Sequence, residues 1–110
     1  MAGSAAWPIG GLGALRELHL RGNALTGLPA SVAALGELRV LDLRDNRLRA
    51  LPESLARLPR LTHLDLRNNR LRELPAELPA LEKLDLRWTK LDGDPPVLRR
   101  LAERGCVILR

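Results

Sequence analysis

Three Asp-x-Arg pairs recur along this chain: Asp42 with Arg44, Asp65 with Arg67, and Asp85 with Arg87; a looser copy pairs His19 with Arg21. A carboxylate beside a guanidinium fork can help hold a cation, recognise a partner's charge, or neutralise its neighbour. A cation site is disfavoured here, because each Asp already has its counter-charge two residues away. His19 and His63 belong to non-adjacent copies with no cysteine to join them, and two intervening strand spacings of about 4.8 Å hold them too far apart for one metal ion. Cys106, within "CVIL", reads as a packed apolar thiol. "GGLG" at 10–13 follows no predicted strand and lacks the lysine of a phosphate-binding loop. The sequence therefore predicts no catalytic centre, no metal and no cofactor.

The pairs sit inside a longer phrase. "LDLRDNR" at 41–47, "LDLRNNR" at 64–70 and "LDLRWTK" at 84–90 are near copies, with "LHLRGNA" at 18–24 as a fourth. Counted from Leu15, Leu38, Leu61 and Leu81, the intervals are 23, 23 and 20 residues. Each copy reads L-x-x-L-x-L-x-x-N-x-L, and the first three go on to x-x-L-P. In "L-x-L" the side chains alternate, as in a strand with one buried face, which predicts strands near 17–21, 40–44, 63–67 and 83–87. Asn23, Asn46 and Asn69, with Thr89 in the fourth copy, stand where the chain turns inward. Apart from Asn68 the chain has no other Asn. A residue type confined to one position serves that position: its amide can pair with backbone groups the turn leaves open, building an Asn ladder through the stack. Leu-Pro at 28–29, 51–52 and 74–75 starts each return segment. Apolar spacing of three in "ASVAALGE", "ESLARLPR" and "AELPA" predicts short or 3₁₀ helices there. No copy can bury its leucines alone, so the copies must stack.

These residues resemble the leucine-rich repeat family, in the LPxx form found in many intracellular and bacterial members. The resemblance covers about residues 15–91. It implies an α/β right-handed solenoid with a parallel sheet on the concave face, short helices or 3₁₀ turns outside, and protein binding on the concave side. One domain over residues 1–110 is expected, with repeats at 15–37, 38–60 and 61–80 and the last repeat with its cap at 81–110. Ile9 and Leu12 keep the spacing of Val32 and Leu35, so residues 5–14 read as part of a further repeat. They leave an N-terminal end open to self-association, with Trp7 shielding its leucines. "DPPVLRRLAERG" predicts a capping helix near 96–104, with Asp94 as N-cap and Gly105 as stop, and "CVIL" offers a last strand.

If the leucines face in, recognition must sit on what alternates with them. Across the copies this gives an acidic column (Asp42, Asp65, Asp85, headed by His19) and a basic one (Arg21, Arg44, Arg67, Arg87). Glu17, Val40, His63 and Lys83 stand before them; Gly22, Asp45, Asn68 and Trp88 follow. Arg47, Arg70 and Lys90 extend the basic edge, with Arg49 and Arg72 nearby. Two readings compete for the columns. In one they are exposed pairs contributing roughly 0–1 kcal/mol each, a register and solubility device. In the other the Arg column offers forks to a partner's carboxylates. Trp88, Lys83 and His63 vary from copy to copy and are the stronger specificity candidates, with Asp65 and Asp85 beside them. Trp88 reads either as an interface anchor or as a cover for the C-terminal cap.

The net charge of +5 favours an acidic protein partner. Nucleic acid is disfavoured, since the Asp column repels phosphate and only Trp88 could stack on a base. A structural repeat fragment with no partner of its own is the alternative. A single cysteine, no evident signal peptide and no apolar run of spanning length point to a cytoplasmic protein. The favoured residues, Ala, Arg, Leu, Gly and Pro, have GC-rich codons and hint at a bacterial source.

Overall fold

Where Leu alternates with a polar residue, a strand forms. The computed structural model describes residues 13–110. In it β1 (Glu17–His19), β2 (Val40–Asp42), β3 (His63–Asp65), β4 (Lys83–Asp85) and β5 (Val107–Leu109) make one sheet in chain order. Every pairing is parallel, and Leu18, Leu41, Leu64, Leu84 and Ile108 fall in one row. The first four strands begin where alternation predicts but are three residues long, not five. Hydrogen bonding nonetheless continues beyond them, with the amides of Leu20, Leu43, Leu66 and Leu86 donating to carbonyls of the next strand. The strands end early because the chain soon turns into the left-handed region at Gly22, Asp45, Asn68 and Trp88.

The returns run along the outer side. Ala30–Ala34 and Glu53–Arg57 are 3₁₀ helices, each entered from an extended proline, Pro29 or Pro52. The third return forms no helix, contrary to its apolar spacing. It is three residues shorter, and Pro79 forces the preceding residue out of helical conformation. Leu78 still reaches the core.

That core is almost wholly leucine. Leu35, Leu38, Leu41, Leu43, Leu48, Leu55, Leu64, Leu66, Leu71 and Leu84 are all essentially closed to solvent, and among the described residues no aromatic is buried. Each repeat covers the next, so a gap in one layer weakens the interfaces on both sides.

The Asn ladder has two complete rungs. Asn46 Oδ1 accepts from the amides of Asn23 and Leu25, both at 3.0 Å. Its Nδ2 donates to the carbonyls of Leu20, Leu43 and Arg44 at 2.9–3.1 Å. Asn69 repeats the pattern one repeat on, bonding the amide of Leu48 and the carbonyls of Leu43, Leu66 and Arg67. Asn23 was expected as a third rung. It is exposed and donates to the Arg21 carbonyl of its own repeat. Thr89 closes the fourth copy locally, its hydroxyl donating to the Leu86 carbonyl.

At the far end α1 (Pro96–Glu103) buries Val97, Leu98 and Leu101, and Gly105 at φ +93° lets the chain leave for β5. The N-cap is Pro95 and no side chain caps the helix, so the assignment of Asp94 as cap is corrected. With two prolines before the first free amide, Asp94 is one residue too early. Its carboxylate instead accepts from Arg110 at 3.4 Å. Trp7, Ile9, Leu12 and most of the partial repeat at 5–14 lie outside the described residues.

Candidate functional site

The strand register builds the columns. His19, Asp42, Asp65 and Asp85 are successive partners across β1–β4, and Glu17, Val40, His63 and Lys83 form the row before them. His19 and His63 thus stand in different rows as well as on non-adjacent strands. Among the described residues no group of three or more His, Cys, Asp or Glu is placed to hold a metal ion.

The Asp–Arg pairs are not the exposed pairs that alternation alone suggests. Asp42 and Asp85 are buried, Asp65 is half-buried, and each binds the Arg two residues on through backbone and side chain together. Arg44 bonds both oxygens of Asp42 at 2.9–3.3 Å while its amide donates to Oδ1 at 3.2 Å. Arg67 with Asp65 and Arg87 with Asp85 repeat this geometry. Each Arg also reaches the next carboxylate, Arg44 Nε lying 3.5 Å from Asp65 and Arg67 Nε 3.3 Å from Asp85. The result is one zigzag of alternating charge from Asp42 to Arg87. Short strands explain the burial: a two-residue carboxylate-to-amide loop folds the Asp back over its own turn.

Burial alone would raise the pKa of Asp42, but hydrogen bonds from the Arg44 side chain and amide, and from His19, hold it below the ordinary carboxylate value. Asp85 is lowered the same way, burial being offset by Arg87 and by the charge of Arg67. At the other end His19 sits 3.0 Å from Glu17 and 3.5 Å from Asp42, and these bonds raise its pKa, Glu17 most. The linkage has two opposite signs. The Asp contribution is complete above about pH 4 and is lost as pH falls through the depressed folded values. The His19 contribution is complete below about pH 6.5 and is lost as pH rises through the raised folded value. Melting temperature followed against pH should therefore fall on both sides. His19→Gln should remove the loss above about pH 6.5 and, because His19 also bonds Asp42, a smaller part of the acid-side loss.

The next row is defined by its backbone. Gly22, Asp45, Asn68 and Trp88 all adopt positive φ, from +55° to +73°. Gly, Asp and Asn tolerate this region; a bulky aromatic there is a genuine outlier. Asp45 accepts from Arg21 at 2.8 Å and from Asn68 at 2.9 Å, with Asn68 the larger influence lowering its pKa. Trp88 is 70% exposed, and Arg87 lies over its ring at 5.6 Å, a cation–π contact.

Two neighbouring surfaces result. A shallow hollow of about 180 Å³ on the concave sheet is lined by Val40, His63 and Lys83 with Asp42, Asp65 and Asp85 at its base. Trp88 is not in it; it lines a rim groove with Asn68, Asn69, Arg70 and Lys90. The structure thus brings His63 and Lys83 together and sets Trp88 apart from them, over the strand ends. Arg44, Arg67 and Arg87 lie between, their forks committed to Asp but 25–38% exposed. The positive-φ row was missed in the sequence, although Gly, Asp and Asn at one repeat position were its signal.

A family model described as leucine-rich repeat matches residues 13–71. The chain belongs to the leucine-rich repeat family. Among solved structures this repeat array is similar to a leucine-rich repeat protein of Leptospira interrogans, at 37% identity over 86% of this chain and with a TM-score of 0.74. The chain spans 25% of that protein's length. No curated protein matches the chain. Among the described residues no helix is long and apolar enough to cross a membrane.

Proposed function

We propose that this repeat array is a protein-recognition module, not an enzyme, whose concave face takes up a partner protein. His63 and Lys83 would meet the partner over the hollow, and Trp88 would anchor it at the adjoining rim. Arg21, Arg44, Arg67 and Arg87, with Asp65 and Asp85 behind them, would supply a rigid charged floor whose remaining N–H groups face an acidic patch. A cytoplasmic location and a bacterial source fit a single buried cysteine and the composition, and belong to the same proposal.

Trp88 carries this reading. A large aromatic held in the left-handed region and 70% exposed serves neither the turn nor the core. The turn would be better made by Gly or Asn, as in the other copies. A rigid aromatic on a pre-formed surface loses little entropy on binding and suits an interface hot spot. The test is affinity capture with the folded chain, followed by calorimetry with the captured protein. Trp88→Gly should weaken binding by about 2 kcal/mol or more. Glycine is the apt substitution, because it leaves the positive φ unstrained. Arg57→Ala, on the outer side, should leave the affinity unchanged. The reverse pattern removes the concave-face assignment.

A further inference from the structure

The two basic columns have different fates. Arg44, Arg67 and Arg87 are neutralised by Asp. Arg47, Arg49, Arg70, Arg72 and Lys90, just beyond the Asn ladder, make no ion pair among the described residues. All five are exposed. They line two grooves along the rim that share Arg70 and Lys90 and so run on as one. Residues 1–12 contain no Asp or Glu to neutralise them.

The backbone beneath is fixed. The amide of Arg47 donates to the Leu25 carbonyl, that of Arg70 to Leu48, and that of Arg72 to Arg49. Arg47 and Arg70 therefore stand in register on adjacent repeats, as do Arg49 and Arg72, on backbones spaced as in a parallel ladder, about 4.8 Å. Such stacking is unfavourable without a counter-charge, and earlier in the same repeats Asp42, Asp65 and Asp85 supply one to Arg44, Arg67 and Arg87. Among the described residues lining the two grooves the carboxylates are Asp45, already bonded to Arg21 and Asn68, and Asp92.

We propose that this rim is a second recognition surface, which docks an extended acidic peptide segment of a partner protein. Four of the five cations are arginines, whose planar forks match carboxylates in two-point contacts. A single-stranded nucleic acid would use a row of stacking aromatics, and among the described residues lining the groove only Trp88 is aromatic. Trp88, which carries the reading above, also borders this groove, but the rim cations do not line the concave hollow, so the His63 and Lys83 variant below separates the two surfaces.

The probe is a fluorescein-labelled peptide of ten residues alternating Glu and Ser, titrated against the whole chain by fluorescence anisotropy in moderate salt. The triple variant Arg47→Ala/Arg70→Ala/Lys90→Ala should weaken binding at least tenfold. The variant Arg47→Lys/Arg70→Lys, which keeps the charge but removes the forks, should weaken it at least threefold. Removing three exposed arginines elsewhere, Arg57→Ala/Arg99→Ala/Arg104→Ala, should change it less than twofold, as should His63→Ala/Lys83→Ala. Equal losses from the rim and remote triples would overturn the proposal in favour of a general field effect. An unaltered affinity in the lysine variant would overturn the two-point contact. A labelled oligothymidylate of the same length bound more tightly than the peptide, and through the same three residues, would overturn the peptide assignment in favour of nucleic acid.

Discussion

Replacing Asn46 by leucine should lower stability by about 3 kcal/mol or more, the largest effect expected of any polar substitution in this chain. The two side chains are similar in size, so the change removes an amide and little volume. Two amides and the Leu20 carbonyl lose their partner at once, while the Leu43 carbonyl keeps the Asn69 amide and the Arg44 carbonyl keeps the Gly22 N–H. An unpaired buried backbone group costs about 1–3 kcal/mol, and water can reach only some of these three. Asn23→Leu is the internal control. Asn23 is exposed and makes one side-chain bond, to the Arg21 carbonyl, so its loss should cost less than about 1 kcal/mol. Urea unfolding followed by circular dichroism checks both. Equal effects at the two positions would show that the ladder does not work through contacts between repeats.

Leu64→Ala should cost about 2–5 kcal/mol. Leu64 lies in the row between Leu41 and Leu84 and is 1% exposed. Leucines surround the gap, and among the described residues no buried aromatic is at hand to swing into it. Because each repeat is stabilised by its neighbours, the cavity weakens two interfaces at once. The same denaturation experiment measures it, and an effect under about 1 kcal/mol would place Leu64 outside the core.

Much of this was legible in the sequence because the chain writes its structure several times. A leucine seen once is ambiguous, but the row Leu18, Leu41, Leu64, Leu84 repeats at near-constant spacing, and spacing alone fixes register in a parallel stack. The confinement of Asn to one position likewise exposed its bonding role. What repetition hid was anything decided by side-chain torsions. Alternation put Asp42 and Asp85 on an open surface, whereas a two-residue loop to the next amide folds them back into burial. The shortened third return kept its apolar spacing but lost its helix to Pro79. The rim cations looked like more of the same basic column, because which arginines find a carboxylate depends on reach across strands.

The positive-φ row bears hardest on function, because there one copy departs from what the backbone prefers. If Trp88 is there for recognition, the fold does not need it, and the stability of Trp88→Gly tests that most directly. Relief of the left-handed conformation favours glycine by about 1–2 kcal/mol. Loss of the Arg87 contact and the freer unfolded chain oppose it by about 0.5–1 kcal/mol each. Unfolding in urea should therefore give a variant within about 1 kcal/mol of the parent in either direction. A loss of 2 kcal/mol or more would make Trp88 a structural cover for the C-terminal cap, and would contradict the assignment of function to the positions where the copies differ.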